Sequence, residues 1–407
     1  MIGEFISIHA IIINNFEFKL MGGPQMKSIT FFMHNVYAIG GTVKAISQLA
    51  NTLAEKGHHV EIISVFKAQS SPYFELHPSI IVKPLIDYRP HPKNLISIFF
   101  NRIRRYTSMN QPKKISQFEP GINQFSRYVE RKMIKALNNI STDVIVGTRA
   151  SFNILIGNHV ASHIEKIGME HMNFSAHPKS YQHEIIQAYE RLDKITTLTS
   201  IDRRVYQRHL SRPVYVIPNI LSEPRLSLSK SKLITAAGRL EYEKGFDLLI
   251  QSLIPIKQHL NQFNYIVEIF GEGQEKDKLQ RLIDENGLQE IVRLKGQTQQ
   301  LNEQLAKSEI TVIPSRNEGF GMVILEAMNQ GSIIVSFDGN VGPDSIIENN
   351  INGYLIGHGD IKALSRLLLR LINQELKEHV LIENGYKTVE QYSPDKVYES
   401  FISMLNS

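Results

Sequence analysis

Cysteine is absent from all 407 residues, which removes disulfides, thiolate zinc sites, iron–sulfur clusters and cysteine nucleophiles from the native chemistry. Also missing is any apolar run near the roughly 18 to 20 residues needed to span a bilayer, so membrane contact is expected to be peripheral at most. No Asp-x-Asp occurs, so a metal-bridged diphosphate site lacks its usual ligands, and nucleic-acid motifs, short internal repeats and low-complexity tracts are absent too. The apolar stretch 5–14 is short, has no basic flank and no small-residue cleavage site, and therefore does not read as a secretory signal. A strand-like run begins only after Met26, so Met26 is expected to be the native start and residues 1–25 upstream sequence or an appended arm, with an extra strand or helix on the domain weighing equally.

What is present is an ordinary globular composition, 42% hydrophobic and 21% charged. The length exceeds one hydrophobic core and suits two domains. Residues 28–66 read as strand, Gly-containing turn, helix 42–56 and strand 60–65, a βαβ opening of the kind that builds parallel sheets. Further strands are expected at 143–147, 164–169 and 195–198. Residues 221–232, rich in Ser, Lys and Pro, read as an interdomain linker. A second α/β series follows, with strands at 233–237, 265–270, 292–295, 310–314, 333–337 and 354–356. Helices alternate with them at 245–256, 276–286, 300–307 and 323–329, and the last helices run from about 361 to 407 with a break near Ser393 and Pro394. The fold class is therefore α/β with two Rossmann-like domains. The boundaries are 26–218 (plus about 386–407) for the first and 219–385 for the second.

Charge is uneven. Between Arg89 and Lys135 eleven Lys and Arg face two acids, an excess of nine, so the rest of a chain of net charge +5 is net acidic by four. Leu95, Ile96, Ile98, Phe99, Phe100, Ile103 and Tyr106 interleave with these cations. That pattern fits either a basic amphipathic surface for an anionic acceptor or lipid, or a solvated helical face.

Two constellations can carry chemistry. Glu318 and Glu326, with Gly319, Phe320 and Gly321 in a strand-to-helix turn, can accept hydrogen bonds from hydroxyls of one extended ligand. The glycines let backbone N–H groups approach phosphates at a helix N-terminus. Gly238, Arg239, Leu240, Lys244 and Gly245 follow directly on a strand, where Arg offers a planar fork and Lys a point charge to a diphosphate.

With these motifs the chain resembles a family 4 retaining glycosyltransferase of GT-B architecture. The similarity lies in Gly238-Arg239-Leu240-x3-Lys244-Gly245, in Val-Ile-Pro-Asn ending at Asn219 and in Phe-Gly-Glu-Gly from Phe270 to Gly273. It extends to Pro314-Ser315-x2-Glu318-Gly319-Phe320-Gly321 with its Glu-x7-Glu, and to Ile347-x4-Asn352-Gly353. The resemblance spans Ser28 to the C-terminus and is strongest from Val216 to Leu355. It implies domains facing each other across a donor and acceptor cleft, with the C-terminal helix crossing back to the first domain.

For the residues, the resemblance implies that Arg239 and Lys244 clamp the donor diphosphate and Glu318 holds hydroxyls of the donor sugar. The backbone of Gly319, Phe320 and Gly321 would lie against sugar and phosphate, Glu326 would bind the ribose, and Gly40 and Gly41 would approach the phosphates. His171, with Asn173 and His177 nearby, matches a histidine lining the sugar and acceptor pocket, and a structural or surface role for it weighs equally. The implied reaction retains anomeric configuration, needs no cofactor or metal, and uses the leaving phosphate to help deprotonate the acceptor hydroxyl. UDP-sugars are favoured as donors, with a teichoic acid, polysaccharide or lipid-linked acceptor at the cytoplasmic face of the membrane. Nucleic acid is not an expected partner, and a homo-oligomer is compatible.

Three rivals bear on the same residues. A nicotinamide oxidoreductase fails because Lys276 stands where the third glycine of its fingerprint belongs. A sugar-nucleotide epimerase, or a non-catalytic glycosyltransferase partner subunit, shares the architecture. The joint presence of Arg239, Lys244, Glu318 and Glu326 argues against the second.

Overall fold

The computed structural model describes residues 26–89, 111–376 and 378–407. The expected extension 1–25 and the apolar part of the basic stretch, 95–106, lie outside the described residues. By internal contacts the chain divides into two compact units. The first comprises Met1–Met169, Lys179–Ile195 and Tyr398–Ser407, the second Glu170–Pro178 and Thr196–Val397.

The N-terminal sheet has seven strands in the order β3-β2-β1-β4-β5-β6-β7. These are β1 (Ser28–Met33), β2 (His59–Lys67), β3 (Ile81–Asp87), β4 (Val144–Gly147), β5 (Glu165–Met169), β6 (Lys194–Thr197) and β7 (Val214–Val216). Ile29 sits opposite Val60 on one side and Val144 on the other, both in parallel register. Among the described residues five helices accompany the strands: α1 (Gly41–Glu55), α2 (Arg127–Leu137), α3 (Ala150–His159), α4 (Lys179–Tyr189) and α5 (Ser200–Gln207). Because helices cover both faces, the central strands are near-continuous apolar runs; Phe31, Phe32, Ile62, Val65, Ile145 and Val146 are fully buried. The last ten residues belong to the first unit. There Lys27 Nζ donates to Leu405 O at 2.9 Å and Lys194 Nζ to Met404 O at 2.6 Å, so two lysines satisfy carbonyls that the end of a helix leaves without partners.

The second sheet has six parallel strands in the order β10-β9-β8-β11-β12-β13. They are β8 (Ser231–Ala237), β9 (Ile266–Phe270), β10 (Val292–Gly296), β11 (Ser308–Ile313), β12 (Ile333–Phe337) and β13 (Tyr354–Ile356). Helices α6 (Phe246–Leu253), α7 (Lys257–Gln262), α8 (Lys276–Glu285), α9 (Leu301–Lys307), α10 (Met322–Asn329) and α11 (Val341–Ile346) connect them. Then come α12 (Ile361–Ile372), α13 (Glu378–Glu390) and α14 (Pro394–Asn406). Strand order reverses between β8 and β11. At such a switch point the connections leave to opposite faces, and a crevice opens outside the carboxyl ends of the strands.

Residues 221–232 are not a free linker. Asn329 Nδ2 donates to Glu223 O and Gln330 Nε2 to Pro224 O, both at 2.9 Å, while the Arg225 guanidinium lies 3.5 Å over the Tyr386 ring. Lys230 Nζ reaches Ser308 O at 2.7 Å and Gln330 O at 3.0 Å, and burial pushes its pKa down to about 8. Polar side chains bind this segment along the second unit, so it carries no apolar periodicity although it is packed. The terminal helices break twice rather than once, the extra break following Asn373 at Gln374, which adopts φ 56°.

Candidate functional site in the second unit

Three tight loops meet at the ends of β8, β9 and β11. A Cβ on Gly271 would lie 1.8 Å from Gly238 O, one on Gly273 2.3 Å from Leu240 O, and one on Gly245 1.9 Å from Pro314 O. Gly271 and Gly245 also adopt φ +143° and +65°, backbone that disfavours any side chain. The Gly-x-Gly after β9 thus serves backbone packing against the β8 loop, the contact that fixes where residues 238–245 sit.

That loop delivers Lys244 to Glu318. Lys244 Nζ donates to Glu318 Oε2 at 2.6 Å, and both side chains are largely buried. Lys244 follows β8 and Glu318 follows β11, so the pair spans the switch point of the sheet. Ser315 Oγ also donates to Glu318 Oε2, at 3.3 Å. The Glu318 backbone is held at both ends, its N–H donating to Asn340 Oδ1 at 3.1 Å and its carbonyl accepting from Gly342 N at 3.0 Å. Asn340 Nδ2 in turn donates to Ser315 O at 2.9 Å. Beneath the loop, Arg316 grips Asp247 through two bonds of 2.8 and 2.6 Å and stacks 4.0 Å from the Tyr242 ring; the Asp247 carboxylate holds the guanidinium pKa above its ordinary value. Ser315, Arg316, Asp247 and Asn340 were not singled out from the sequence. Ser315 and Arg316 lie inside the recognised motif, whereas Asp247 and Asn340 carry no local signal.

Gly321, at φ +86°, caps the N-terminus of α10, and Glu326 lies buried on that helix, 7% exposed. Phe320 is buried against Tyr392, ring centroids 5.9 Å apart. Arg239 is different: its side chain is 74% exposed and pairs with a neighbour on its own loop, Glu241, at 2.8 Å. It lies five residues before Lys244 in sequence, with its guanidinium turned to solvent.

The segment 170–178, which contains His171, belongs to the same unit. Glu170 N donates to Thr196 O at 2.9 Å, and Phe174 stacks on Tyr206 and His209 at 4.9 and 5.2 Å. Asp202 accepts from the Phe174 backbone and from Thr199 Oγ1, and burial raises its pKa to about 6. Asn173 faces the turn directly, its Oδ1 standing 3.5 Å from where a Gly319 Cβ would be. His171 is partly buried beside it, and burial lowers the pKa of His177, whose Nε2 is 4.0 Å from Glu170 Oε2. Among the described residues no three His, Asp or Glu side chains are grouped so as to hold a metal ion, and no helix is long and apolar enough to cross a membrane.

In the first unit Gly40 and Gly41 begin α1. A Cβ on Gly41 would meet nothing within 4 Å, and one on Gly40 only Val43 at 3.9 Å. Gly40 has φ 172°, an extended value open to any residue. Neither backbone nor packing inside the unit requires glycine here.

Comparison with known proteins agrees with this architecture. Residues 219–388 match the family described as "Glycosyl transferases group 1". An exopolysaccharide phosphotransferase of Streptomyces coelicolor is 26% identical over 92% of this chain and 40% of its own length. A poly(ribitol-phosphate) alpha-N-acetylglucosaminyltransferase of Staphylococcus aureus is 28% identical over 60% of this chain and 51% of its own. The chain therefore spans about half or less of the length of these two relatives. A crystal structure of S. aureus TarM, in complex with fondaparinux, alpha-GlcNAc-glycerol and UDP, superposes with TM-score 0.72 at 17% identity, covering 94% of this chain and 100% of that one. Residues 219–388 thus match the group 1 glycosyltransferase family, and the two parallel Rossmann-like sheets have the fold of that glycosyltransferase structure.

Proposed function

We propose that the chain transfers a hexose or N-acetylhexosamine from a nucleotide diphosphate sugar, UDP-linked in the favoured case, to a hydroxyl of a cell-envelope glycopolymer or glycolipid. The observation that carries this reading is the Lys244–Glu318 pair at the switch point of the second sheet, 2.6 Å apart and backed by the glycine-capped start of α10. The pair places a cation and an anion where a ligand with a diphosphate and a polyol can use both. In this account the donor diphosphate displaces the Glu318 carboxylate from Lys244, and Arg239 turns in from solvent to share the phosphate charge. Glu318, released, accepts hydrogen bonds from donor-sugar hydroxyls. Glu326 takes the ribose, and the N–H groups around Gly319 to Gly321 lie against phosphate and sugar. Gly40 and Gly41 supply N–H groups to the phosphates, for which their open space leaves room.

Cleavage of the bond from the anomeric carbon to phosphate leaves negative charge on the diphosphate, which Lys244 and Arg239 stabilise. The departing phosphate oxygen accepts the acceptor hydroxyl proton as that oxygen attacks the same face, so configuration is retained without a protein nucleophile or a metal. His171 orients the sugar or relays a proton. The names of the relatives, which act on poly(ribitol phosphate) and exopolysaccharide, support an envelope acceptor, and the basic stretch 89–135 supports an anionic or lipid-held one at the inner face of the membrane.

The test is transfer and hydrolysis with a panel of UDP-, GDP- and ADP-sugars, with product anomers read by NMR and EDTA in parallel. Retained configuration and EDTA-resistant turnover with a UDP-sugar are expected. An inverted product would refute the same-face mechanism, loss of turnover in EDTA the metal independence, and free-sugar interconversion without an acceptor would favour an epimerase.

A further inference from the structure

The described part of the basic stretch turns its acids inward. Residues 111–140 contain two carboxylates, Glu119 and Glu130, and both are 3% exposed. Glu130 Oε1 accepts the backbone N–H groups of Lys113 at 2.8 Å, of Ile115 at 3.0 Å and of Lys114, while Glu119 is bound by Arg149. Glu184 of α4 is occupied by Ser116 Oγ at 2.6 Å. Six cations remain at the surface: the exposed Lys113 and Lys114 on the turn that Glu130 anchors, and on α2 the half-buried Arg127 with the exposed Arg131, Lys132 and Lys135. Among the described residues none of the six is in an ion pair.

Spacing makes a stripe of them. Arg127, Arg131 and Lys135 recur every four residues on one side of α2, a run of about 12 Å at 1.5 Å per residue. The helix starts beside the carboxyl end of β1, since Phe125, one residue before the capping Ser126, lies 5.6 Å from the His34 ring that follows β1. The opposite side of α2 is core, with Val129, Met133 and Leu137 buried. No large apolar side chain of residues 111–140 is exposed. A bilayer-seeking helix needs apolar residues to insert beside its charges, and a site for single-stranded nucleic acid needs aromatic platforms. Here the exposed side offers cations in a row and the half-buried Tyr128, whose ring Lys132 covers at 5.7 Å.

We propose that this stripe is an exosite for a linear phosphodiester-linked polyol, which grips the acceptor chain away from its reacting hydroxyl. The inference rests on the polymer-acceptor reading above. Several contacts along one chain raise the local concentration of its acceptor groups, so a long polymer gains over a single repeat.

The test uses the full chain, end-labelled poly(glycerol phosphate), its single repeat, and vesicles rich in phosphatidylglycerol. Reversing Arg131, Lys132 and Lys135 to Glu should weaken polymer binding at least tenfold at low salt. The slope of log affinity against log salt should fall by about 2 to 3. Donor hydrolysis should stay unchanged. If the reversed protein fails to fold, the same three positions as Gln keep the comparison, with a smaller loss. Equal affinity and slope in wild type and variant would overturn the exosite, as would wild-type binding to vesicles or a single-stranded oligonucleotide in preference to the polymer. Absence of donor hydrolysis in the wild type would instead strike at the proposed function.

Discussion

Lys244 and Glu318 are paired at 2.6 Å, and this has opposite consequences for the two side chains. On the proposed reading, removing the lysine removes the charge that receives the diphosphate. Lys244→Ala should therefore cut kcat/KM for the donor by about 100- to 1000-fold, read in steady-state kinetics. Removing the carboxylate frees the lysine. Glu318→Ala should bind UDP as tightly as wild type or more tightly in calorimetry while transfer collapses, and weakened UDP binding would show that Glu318 does not compete with phosphate. His171→Ala should lower turnover and spare nucleotide affinity, whereas a much weaker nucleotide dissociation constant at normal turnover would assign it elsewhere. At this scale the sequence was informative where types recur in a motif, since Lys244 and Glu318, drawn from two separate motifs, meet in the structure and Gly245 and Gly321 adopt positive φ at helix starts. It was silent on Asp247 and Asn340, because a bond across 69 residues to Arg316, or to a backbone N–H after another strand, leaves no trace in local pattern.

Among the elements, loops divide into those that glycine holds closed and those it leaves open. Gly271→Ala would drive a Cβ to 1.8 Å from Gly238 O, and should cost about 3 kcal/mol or more in urea unfolding. Gly41→Ala meets nothing within 4 Å and should change stability by less than about 1 kcal/mol, yet lower donor turnover if a ligand fills that space. Asp202, which helps hold the His171 segment, gives a pH signature. Its folded pKa, about 6, lies above the ordinary 3.8 because burial disfavours the carboxylate. The stability it contributes is thus full below 3.8 and is lost as pH rises through about 6. Melting wild type and Asp202→Asn across that window should show the wild type losing ground to the variant as pH rises, and parallel curves would discount the shift. Strands buried on both faces were legible as apolar runs. Strand β3 was not, because it lies at the sheet edge with Pro84 inside it and only Ile86 buried. Helix α11, Val-Gly-Pro-Asp-Ser-Ile, was missed because its Gly342 and Pro343 argue against helix. Gly342 is there for another reason, since a Cβ would lie 2.4 Å from Phe320 O.

For the whole molecule, two parallel sheets each reverse strand order beside their first strand, and each puts glycines or charges just after it. This much follows from repeated strand–helix alternation, which the sequence displays openly. The packed path of 221–232 does not follow from it, because Arg225 and Lys230 act through carbonyls and a ring contributed by elements distant in sequence. The central claim is that the switch point of the second sheet holds a nucleotide diphosphate sugar through Lys244. Thermal unfolding of the intact chain against a panel of nucleotide sugars tests it most directly. One donor should stabilise the wild type by about 2.7 kcal/mol at a hundredfold excess over its Kd, with most of that shift gone in Lys244→Ala. A panel in which no nucleotide sugar moves the wild-type transition, or in which both proteins respond alike, would contradict the account.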